Sequence, residues 1–430
     1  MKYLSIHNKL FIENRKKFTK QLKAGSLAIF NSNDVMPTNA DGTMGFRQNT
    51  DLFWLSGIDQ EQSVLVLFPD AKLADNREIL FVRETNEHIA IWEGAKLTKE
   101  QATQVSGIKS VYWLNNFHQI LQALFAECEH IYLNANEHSR AFIEVETREA
   151  RFAKWCKENY PTHSYQRSAP IMHNLRAIKS EEEIKLIQTA CDITEKGFRR
   201  ILSFVKPGVW EYEIEAEFIY EFIKNRSAGF AYGPIIASGG SSCVLHYNDN
   251  NKQCKAGDIL LLDVAAEYAN YASDLTRTIP VNGKFTKRQK DVYNAVLRVM
   301  QGAIKMLKPG NNLSDYQNDV GKLMEEELVG LGLLKIQDIK KQDSKNPLYK
   351  KYFMHGTSHF LGLDVHDVGD KYRKLEAGMV FTCEPGIYIK EENIGIRIEN
   401  DIHITAKGPV DLMKNIPVEA EEIEGLMNKR

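Results

Sequence analysis

From residue 180 onward this 430-residue chain presents one order of helix and strand signals twice, which constrains its fold more than any other feature. A long helical pattern opens at Ser180 and stops at Lys206-Pro207-Gly208, and a second opens at Thr286 and stops at Lys308-Pro309-Gly310. Proline and glycine past the last turn are typical helix stops. A shorter helix and acidic strand-like segments follow each stop. Two matched sets in the same order favour an internal duplication.

Cap signals place the ends of these four helices. Ser180-Glu-Glu-Glu183 is a capping box, in which the serine hydroxyl and the Glu183 carboxylate each satisfy a free backbone amide. We expect this first helix to reach about Val205. The two shorter helices should span about 211–225 and 314–330.

Each repeat then carries two acidic residues in a predicted β-hairpin. Asp263 ends an apolar run that begins at Ile259, and Asp274 follows after a turn. Glu384 and Glu399 take the same places in the second repeat. Residues of like orientation in a strand pair share one face, so each hairpin can direct two carboxylates to one point. Taken singly, each acid has an ordinary alternative: an exposed strand end for Asp263, a helix cap or a pair with Arg277 for Asp274, a turn acid for Glu384, and an ion pair with Arg397 for Glu399.

A histidine-rich segment, residues 355–367, lies between the two acidic hairpins. It holds three of the twelve histidines in the chain, His355, His359 and His366, and a loop of surface histidines is its plain alternative. His359 and the carboxylates supply the mixed nitrogen and oxygen ligands that suit Mn²⁺, Co²⁺, Zn²⁺ or Fe²⁺. Four carboxylates among leucine and isoleucine strands cannot all ionise uncompensated, because burying an unpaired charge is costly. Two divalent cations would balance them, and a hydroxide between the ions would be a nucleophile at neutral pH.

Composition bounds the class and the location of the protein. Hydrophobic residues make up 43% of the chain and charged residues 26%, as in ordinary globular proteins. The net charge of −2 gives no long-range attraction to nucleic acid or to anionic membranes. We expect no signal peptide and no membrane span, because apolar runs of the required length are missing. Six scattered cysteines without a CxxC pair indicate reduced thiols in a cytoplasmic protein.

The length favours two domains, which we place at residues 1–170 and 171–430. In the first, residues 64–68 and 78–82 are apolar runs of strand length, and residues 139–158 have a helical pattern. This part carries no cluster of ligand-type residues, so we expect a structural or substrate-excluding role for it.

The potential ligands resemble, in type and order, those of the pita-bread metallopeptidase family, which includes methionine aminopeptidase, prolidase, aminopeptidase P and creatinase. The stretch Gly45-Phe-Arg-Gln-Asn-Thr-Asp-Leu-Phe-Trp-Leu-Ser-Gly57 and the 355–367 segment look like aminopeptidase P. The resemblance implies an α/β fold of the α+β kind, with a smaller N-terminal α/β domain followed by a duplicated pita-bread catalytic domain. It also implies the ligand set: Asp263 on one metal, Asp274 and Glu399 bridging, and His359 and Glu384 on the other metal.

The resemblance implies further roles around the metals. His246 would line the pocket at the scissile bond, and His355 would line its proline side. His366 would bind substrate and help to shuttle protons. Glu384 would be the acid–base partner of the nucleophile, and Arg397 would steady the acids of the site.

Four other features remain open at this point. Tyr232 and Tyr388 are pocket candidates, although lone aromatics belong more often to a core. Asn400 stands where many relatives carry Asp after the bridging Glu, which removes a charge near the metals but deletes no ligand. The lysine-rich residues 335–351 are an insertion, which we expect to be a surface loop.

The expected activity is that of a cytoplasmic Xaa-Pro aminopeptidase, which releases an N-terminal residue ahead of a proline in second position. Its cofactor would be two divalent metal ions bridged by the attacking hydroxide, with Mn²⁺ favoured over Co²⁺, Zn²⁺ and Fe²⁺. We expect a homo-oligomer, a dimer or tetramer, whose partners are peptides with a penultimate proline and include neither nucleic acid nor membrane. A prolidase restricted to Xaa-Pro dipeptides is the alternative. The filled ligand set argues against a metal-free creatinase-like enzyme and against a catalytically inactive binding module.

Overall fold

The computed structural model describes residues 2–429, which separate into two compact units, one of residues 3–175 and one from residue 176 onward. Among these described residues, no helix combines the length and the apolar character needed to cross a membrane. All six cysteines carry free thiols, so no disulfide joins distant parts of the chain.

A six-stranded mixed sheet forms the centre of the first unit. Its strands are β1 (Ser26–Asn31), β2 (Val64–Leu67), β3 (Glu78–Val82), β4 (Ser110–Trp113), β5 (His130–Leu133) and β6 (Ser164–Arg167). The order across the sheet is β4-β3-β2-β1-β5-β6, and β2 runs antiparallel to both of its neighbours while the other pairs are parallel. The helices are α1 (Lys9–Thr19), α2 (Thr50–Ser56), α3 (Glu87–Glu93), α4 (Lys99–Ser106), α5 (Phe117–Phe125) and α6 (Arg148–Asn159). Helix α7 (Ala169–Ala177) spans the boundary, and its Arg176 belongs to the second unit.

The two strands predicted for this unit are confirmed, and the helix predicted over 139–158 is wrong at its start. That helix, α6, begins only at Arg148. Upstream of it, Ile143, Val145 and Thr147 are β-branched and lose side-chain freedom in a helix, and the first two are exposed. A segment without a buried face gains no packing energy that would hold it helical.

The second unit alternates pairs of helices with small sheets. Its strands are β7 (Ile235–Ser238), β8 (Ile259–Asp263), β9 (Glu267–Tyr268), β10 (Tyr271–Ala272), β11 (Thr276–Pro280), β12 (Val380–Cys383), β13 (Gly386–Ile389), β14 (Ile394–Arg397), β15 (Asn400–Thr405) and β16 (Gly408–Asp411). Its helices are α8 (Glu181–Phe204), α9 (Glu211–Lys224), α10 (Lys287–Met306), α11 (Leu313–Gly330), α12 (Ile336–Ile339) and α13 (Ala420–Met427).

The duplication predicted from the sequence is present in this unit. The helices α8 and α9 pack together as one pair, and α10 and α11 pack together as the other. Strand β8 pairs with β11 around the short hairpin β9–β10, and β12 pairs with β15 around the short hairpin β13–β14. The halves differ in their third strand, because β7 adds to β8 whereas β16 adds to β15.

The predicted helix signals are confirmed at both ends of the long helices. Ser180 and Glu183 form the capping box of α8, and Thr286 caps α10 in the same way. After each Lys-Pro stop, Gly208 and Gly310 have φ of +96° and +93°. This backbone conformation strongly favours glycine, which explains why both repeats end their long helix with the same three residues.

The lysine-rich insertion is not the plain loop that the sequence suggested. It contains the one-turn helix α12 and a 3₁₀ turn at Leu348–Lys351. Tyr349 of that turn is buried, and its ring lies 2.5 Å from where a Cβ on Gly321 of α11 would stand. Tyr349 and the bond from Gln342 to Glu325 of α11 therefore anchor the insertion, and its lysines stay exposed.

Candidate metal centre

The first hairpin places Asp263 and Asp274 side by side at one end of the β8–β11 strand pair. Asp263 ends β8 opposite Thr276 of β11, and Asp274 comes two residues before that threonine. The Asp274 side chain is buried and that of Asp263 is 14% exposed, so neither is a solvent-exposed strand end. Arg277 lies on the other face of β11, where it donates to the main-chain oxygen of Glu399 at 2.7 Å.

The second hairpin places Glu384 and Glu399 in the matching positions. Glu384 follows β12 directly, and Glu399 comes directly before β15. The two hairpins join here, because the Glu399 amide donates to the main-chain oxygen of Thr276 at 3.0 Å. The Thr276 hydroxyl also donates to Glu399 Oε2 at 2.6 Å. A strand of the first half thus orients a carboxylate of the second half.

His359 completes the cluster. Its Nε2 lies 3.4 Å from Asp274 Oδ2 and 3.7 Å from Glu384 Oε1. Its Nδ1 lies 2.9 Å from the main-chain oxygen of Phe360, which can only accept, so Nδ1 carries the proton and Nε2 is left for a metal. The potential ligand atoms of Asp274, His359 and Glu399 all lie within 4.8 Å of one another.

Burial shifts the carboxyl groups of this cluster towards their neutral forms. It raises the pKa of Glu384 to about 7, against the opposing charge of His359. It also raises the pKa of Glu399 well above its ordinary value, and that of Asp263 despite the neighbouring Arg397. The cations of the protein therefore do not balance these acids. Divalent cations would balance them, and an oxygen-rich donor set with one imidazole suits such ions, so the residues fit the expected metal.

Arg397 ties the cluster to the pocket around it. Its guanidinium donates to Asp263 Oδ2 at 2.5 Å, so its direct ion pair is with Asp263 and not with Glu399. It also donates to the Thr276 hydroxyl at 3.1 Å and to the Tyr388 hydroxyl at 2.8 Å. With three separate acceptors the guanidinium is held in one orientation.

Both oxygens of Asp263 accept hydrogen bonds from side chains. Arg397 holds Oδ2, and the Tyr232 hydroxyl donates to Oδ1 at 2.7 Å. The sequence offered Tyr232 only as a pocket candidate, and the structure places it against a potential metal ligand. Such outer partners orient the ligands that they touch.

His355 sits between this network and Glu384. Its Nε2 lies 2.8 Å from the Tyr388 hydroxyl, and its Nδ1 lies 3.7 Å from Glu384 Oε2. Burial, reinforced by the charge of Arg397, lowers the pKa of His355 to about 4. The ring is therefore neutral at physiological pH, and it can relay a hydrogen bond without adding a charge.

His246 and His366 are the two exposed members of the predicted set. The His366 ring stands edge-on to the ring of His359, with the ring centres 4.4 Å apart and the planes at 89°. The positive charge of His246 is the smallest of the influences that shift the pKa of His355. The structure thus brings His366 to the cluster of potential ligands and leaves His246 exposed to solvent.

Two residues that the sequence did not single out hold the ligands in place. Gln317 Oε1 on α11 accepts from both the amide and the hydroxyl of Thr357, at 2.8 and 2.9 Å. The main-chain oxygen of Thr357 in turn accepts from the Glu384 amide at 2.9 Å. Thr276 is the other, and a signal for it existed, because it lies two residues after Asp274 in a strand and so shares its face.

Asn400 connects two charged side chains that an aspartate could not connect. Its Oδ1 accepts from Arg277 at 2.7 Å, and its Nδ2 donates to Asp411 at 2.7 Å. An aspartate at this position could accept from Arg277 but would face Asp411 as a second carboxylate. The asparagine is thus matched to its two neighbours in this chain.

Comparisons with known proteins agree with this geometry. Residues 185–406 match the model of metallopeptidase family M24, and residues 11–132 match the aminopeptidase P N-terminal domain. The chain is 34% identical to the Xaa-Pro aminopeptidase of Escherichia coli K12, over 97% of each protein. It is 30% identical to human Xaa-Pro aminopeptidase 3, over 100% of this chain and 86% of the human protein. The structure of Escherichia coli aminopeptidase P with the inhibitor Pro-Leu superposes with a TM-score of 0.89 at 32% identity, covering 99% of each chain.

A duplicated α/β unit that gathers four carboxylates and one imidazole at the junction of its halves defines a metal-dependent hydrolase. The residues brought together are of the types that bind divalent ions. The match to the family model and the full-length similarity agree with that class. The chain belongs to metallopeptidase family M24.

Proposed function

We propose that this protein is an Xaa-Pro aminopeptidase, which releases the N-terminal residue from peptides whose second residue is proline. The observation that carries the proposal is the convergence of Asp274, His359 and Glu399 within 4.8 Å, with Asp263 and Glu384 beside them. Relatives that bear this name align with the chain over nearly its whole length. The match of residues 11–132 to the aminopeptidase P N-terminal domain also favours an aminopeptidase over a prolidase.

The proposal includes two divalent ions, with Mn²⁺ as the favoured metal. Asp263 and Asp274 would hold one ion, His359 and Glu384 the other, and Asp274 and Glu399 would be shared. Bound ions would supply a water that is acidic enough to attack at neutral pH and a positive charge beside the scissile carbonyl. Four carboxylates and one imidazole form the hard donor set that Mn²⁺ accepts.

The side chains of the protein would then bind the peptide and move its protons. Glu384, which lies 3.7 Å from both His359 and His355, would take a proton from the attacking water and return it to the leaving nitrogen. His355, neutral and bonded to Tyr388, would line the proline side. His366, exposed beside His359, would meet the substrate and exchange protons with solvent. The tertiary amide before proline has no N–H, so the pocket must recognise it by shape.

A panel of three peptides with one N-terminal sequence tests the activity. We expect kcat/KM for Xaa-Pro-Yaa and for a pentapeptide to be at least as high as for the Xaa-Pro dipeptide. A prolidase would capture the proline carboxylate with a cation, and a longer peptide would leave that cation unpaired. Hydrolysis confined to the dipeptide would make the chain a prolidase, and no hydrolysis of any Mn²⁺-loaded sample would leave a binding module.

Elemental analysis of a ligand variant tests the metal assignment. Asp274→Ala removes a shared ligand and should abolish activity together with at least one metal ion. Asp291→Ala is the matched control, because Asp291 is a partly exposed helix residue that pairs with Lys287. After Mn²⁺ reconstitution we expect two ions per chain in the unmodified protein and in Asp291→Ala. A sample that binds no metal under these conditions would overturn the assignment.

The same proposal places the protein in the cytoplasm as a homo-oligomer, a dimer or tetramer. The six free thiols, five of them buried, are compatible with a reducing compartment. Light scattering of the purified chain gives the oligomer number directly. A monomer at cellular concentration would contradict this part of the proposal.

A further inference from the structure

A buried ion network lies under the segment that carries His366. Arg176 donates to Asp367 Oδ1 at 2.5 Å, and Lys179 lies 3.0 Å from Asp367 Oδ2. These three side chains are at most 3% exposed. Arg176 also reaches Asp364 at 2.8 Å, whose side chain is 40% exposed. Two cations from the chain just before α8 therefore clamp both oxygens of one aspartate.

Stability alone does not account for this arrangement. Burial alone would raise the pKa of Asp367, but Lys179 and Arg176 overcome it and hold the pKa below its ordinary value. Removing three charges from water is expensive, and a buried ion pair can often be replaced by apolar residues without loss of stability. A buried ion pair does fix the orientation of its side chains, because each charged group has to face its partner.

The backbone of the same segment is fastened at further points. The amide of Ala272 in β10 donates to Gly362 O at 2.8 Å, and the amide of Asp367 donates to Phe360 O at 2.9 Å. A Cβ on Gly362 would stand 2.1 Å from Asp367 Oδ2, so the clamped carboxylate fits directly against a residue that has no side chain. The segment from Phe360 to Asp367 is thus closed on itself around the ion network.

His366 is adjacent to this clamp in the chain and faces the metal cluster. Its ring meets that of His359 edge-on with centres 4.4 Å apart. The side chain of His366 is exposed to solvent, and the backbone that carries it is fixed at the next residue. That residue is Asp367, whose two carboxylate oxygens face Arg176 and Lys179.

We propose that Asp367, clamped by Arg176 and Lys179, is a positioning residue that holds His366 edge-on to His359. The proposal rests on the proposed function, in which His366 contacts substrate and exchanges protons. Asp367 itself lies away from the reacting atoms and acts through its neighbour. The network would place one imidazole accurately although the side chain of that imidazole is exposed to solvent.

A double-mutant cycle of His366→Ala and Asp367→Asn on the full chain tests this. Asp367→Asn should lower kcat by about tenfold or more, since misplacement of a working group by about 1 Å can cost ~10²-fold. KM and metal content should change little, because no proposed ligand is touched. In the His366→Ala background the same change should alter kcat less than about twofold, as expected of residues that act as one unit. Equal losses in both backgrounds, or an unchanged kcat in Asp367→Asn, would overturn the proposal.

Two further variants serve as a control and as a substitute for Asp367→Asn. Asp370→Asn makes the same chemical change three residues away at an exposed position and should leave kcat unchanged. If Asp367→Asn does not fold, Lys179→Met keeps the Arg176–Asp367 pair balanced and removes only one side of the clamp. It should lower kcat in the native background and not in His366→Ala, with thermal unfolding recorded alongside. Additive losses here would also overturn the proposal.

The outcomes separate this inference from the proposed function. If the peptide panel shows Xaa-Pro cleavage but the cycle is additive, the aminopeptidase assignment stands and the clamp does not act through His366. If His366→Ala leaves kcat unchanged while Asp367→Asn lowers it, the role of His366 and the clamp fail together. A crystal structure of Asp367→Asn that keeps the 4.4 Å edge-on ring pair would contradict the clamp independently of any assay.

Discussion

Metal binding to the metal-free protein should release protons, in a number that falls as pH rises. Metals bind deprotonated ligands, whereas burial raises the pKa of Glu384 to about 7 and that of Glu399 well above its ordinary value. At pH 6 a group with a pKa of about 7 is ~90% protonated, and at pH 8 it is ~10% protonated. Glu384 alone should therefore release about 0.9 proton at pH 6 and about 0.1 at pH 8. Glu399 should add to the release at pH 6, because burial raises its pKa as well.

The same linkage sets the sign of the pH dependence of affinity. Below pH 7 each released proton should weaken metal binding about tenfold per pH unit, or ~1.4 kcal/mol, because protons compete for the ligand oxygens. His359 acts in the same direction, since its pKa is raised beside Asp274 despite burial. The loss of affinity should appear as pH falls through 7 and should flatten above it as the carboxylates become fully ionised.

Isothermal titration calorimetry with Mn²⁺ in two buffers of different ionisation enthalpy measures the proton number at each pH. The metal-free sample is prepared with a chelator and checked for native circular dichroism. No proton release at pH 6 would refute the reasoning, because it would mean that the carboxylates are already ionised without metal. Equal release at pH 6 and pH 8 would refute it as well, because it would mean that no ligand titrates between these pH values.

Substitutions at three further positions should change metal affinity or stability by amounts that the structure predicts. Gln317→Met removes the acceptor for both donors of Thr357 and should weaken metal binding about 10–100-fold, as loss of outer partners does; Gln317→Glu keeps the acceptor and should stay near the unmodified protein in a metal titration. Gly395→Ala would put a Cβ 2.1 Å from the main-chain oxygen of Ser242 and should cost about 3 kcal/mol or more in urea unfolding. Ser180→Ala should cost about 1 kcal/mol by the same measurement, because it opens the capping box of α8.

Local sequence patterns predicted most of the helices and hairpins of the second unit. Apolar periodicity and caps located α8 to α11, since both signals lie within a few residues of one another along the chain. The acidic hairpins were predictable for the same reason. Asp263 and Asp274 lie on either side of one hairpin turn, and this spacing predicts that their side chains share one face of the strand pair. That these acids would meet His359 was inferred from the ligand types that a divalent metal requires, and the family resemblance then implied which metal each ligand would hold.

What the sequence could not provide was the set of partners that cross between the halves. Arg397 was a candidate partner for Glu399, its near neighbour, but it bonds Asp263 instead. Arg277 was a candidate for Asp274 but reaches the backbone of Glu399. Which partner each arginine binds depends on how the two hairpins dock against each other. No local sequence pattern encodes that docking. The early start predicted for α6 failed for a related reason, because the pattern counted apolar residues that have no surface to pack against.

The bonds that join the two hairpins have a consequence for when the protein acquires its metal. Thr276 and Glu399 are 123 residues apart in the chain, and Asp274 and Asp401, whose side chain accepts from the Asp274 amide, are 127 apart. Contacts of such long range form late, because closing the intervening loop has to precede them. The metal site is therefore incomplete while the chain is still being synthesised. The folded chain binds a metal from the ions that surround it after it leaves the ribosome. The metal found in a purified sample would then report the ion pool in which the last strands docked, as much as any preference of the ligands.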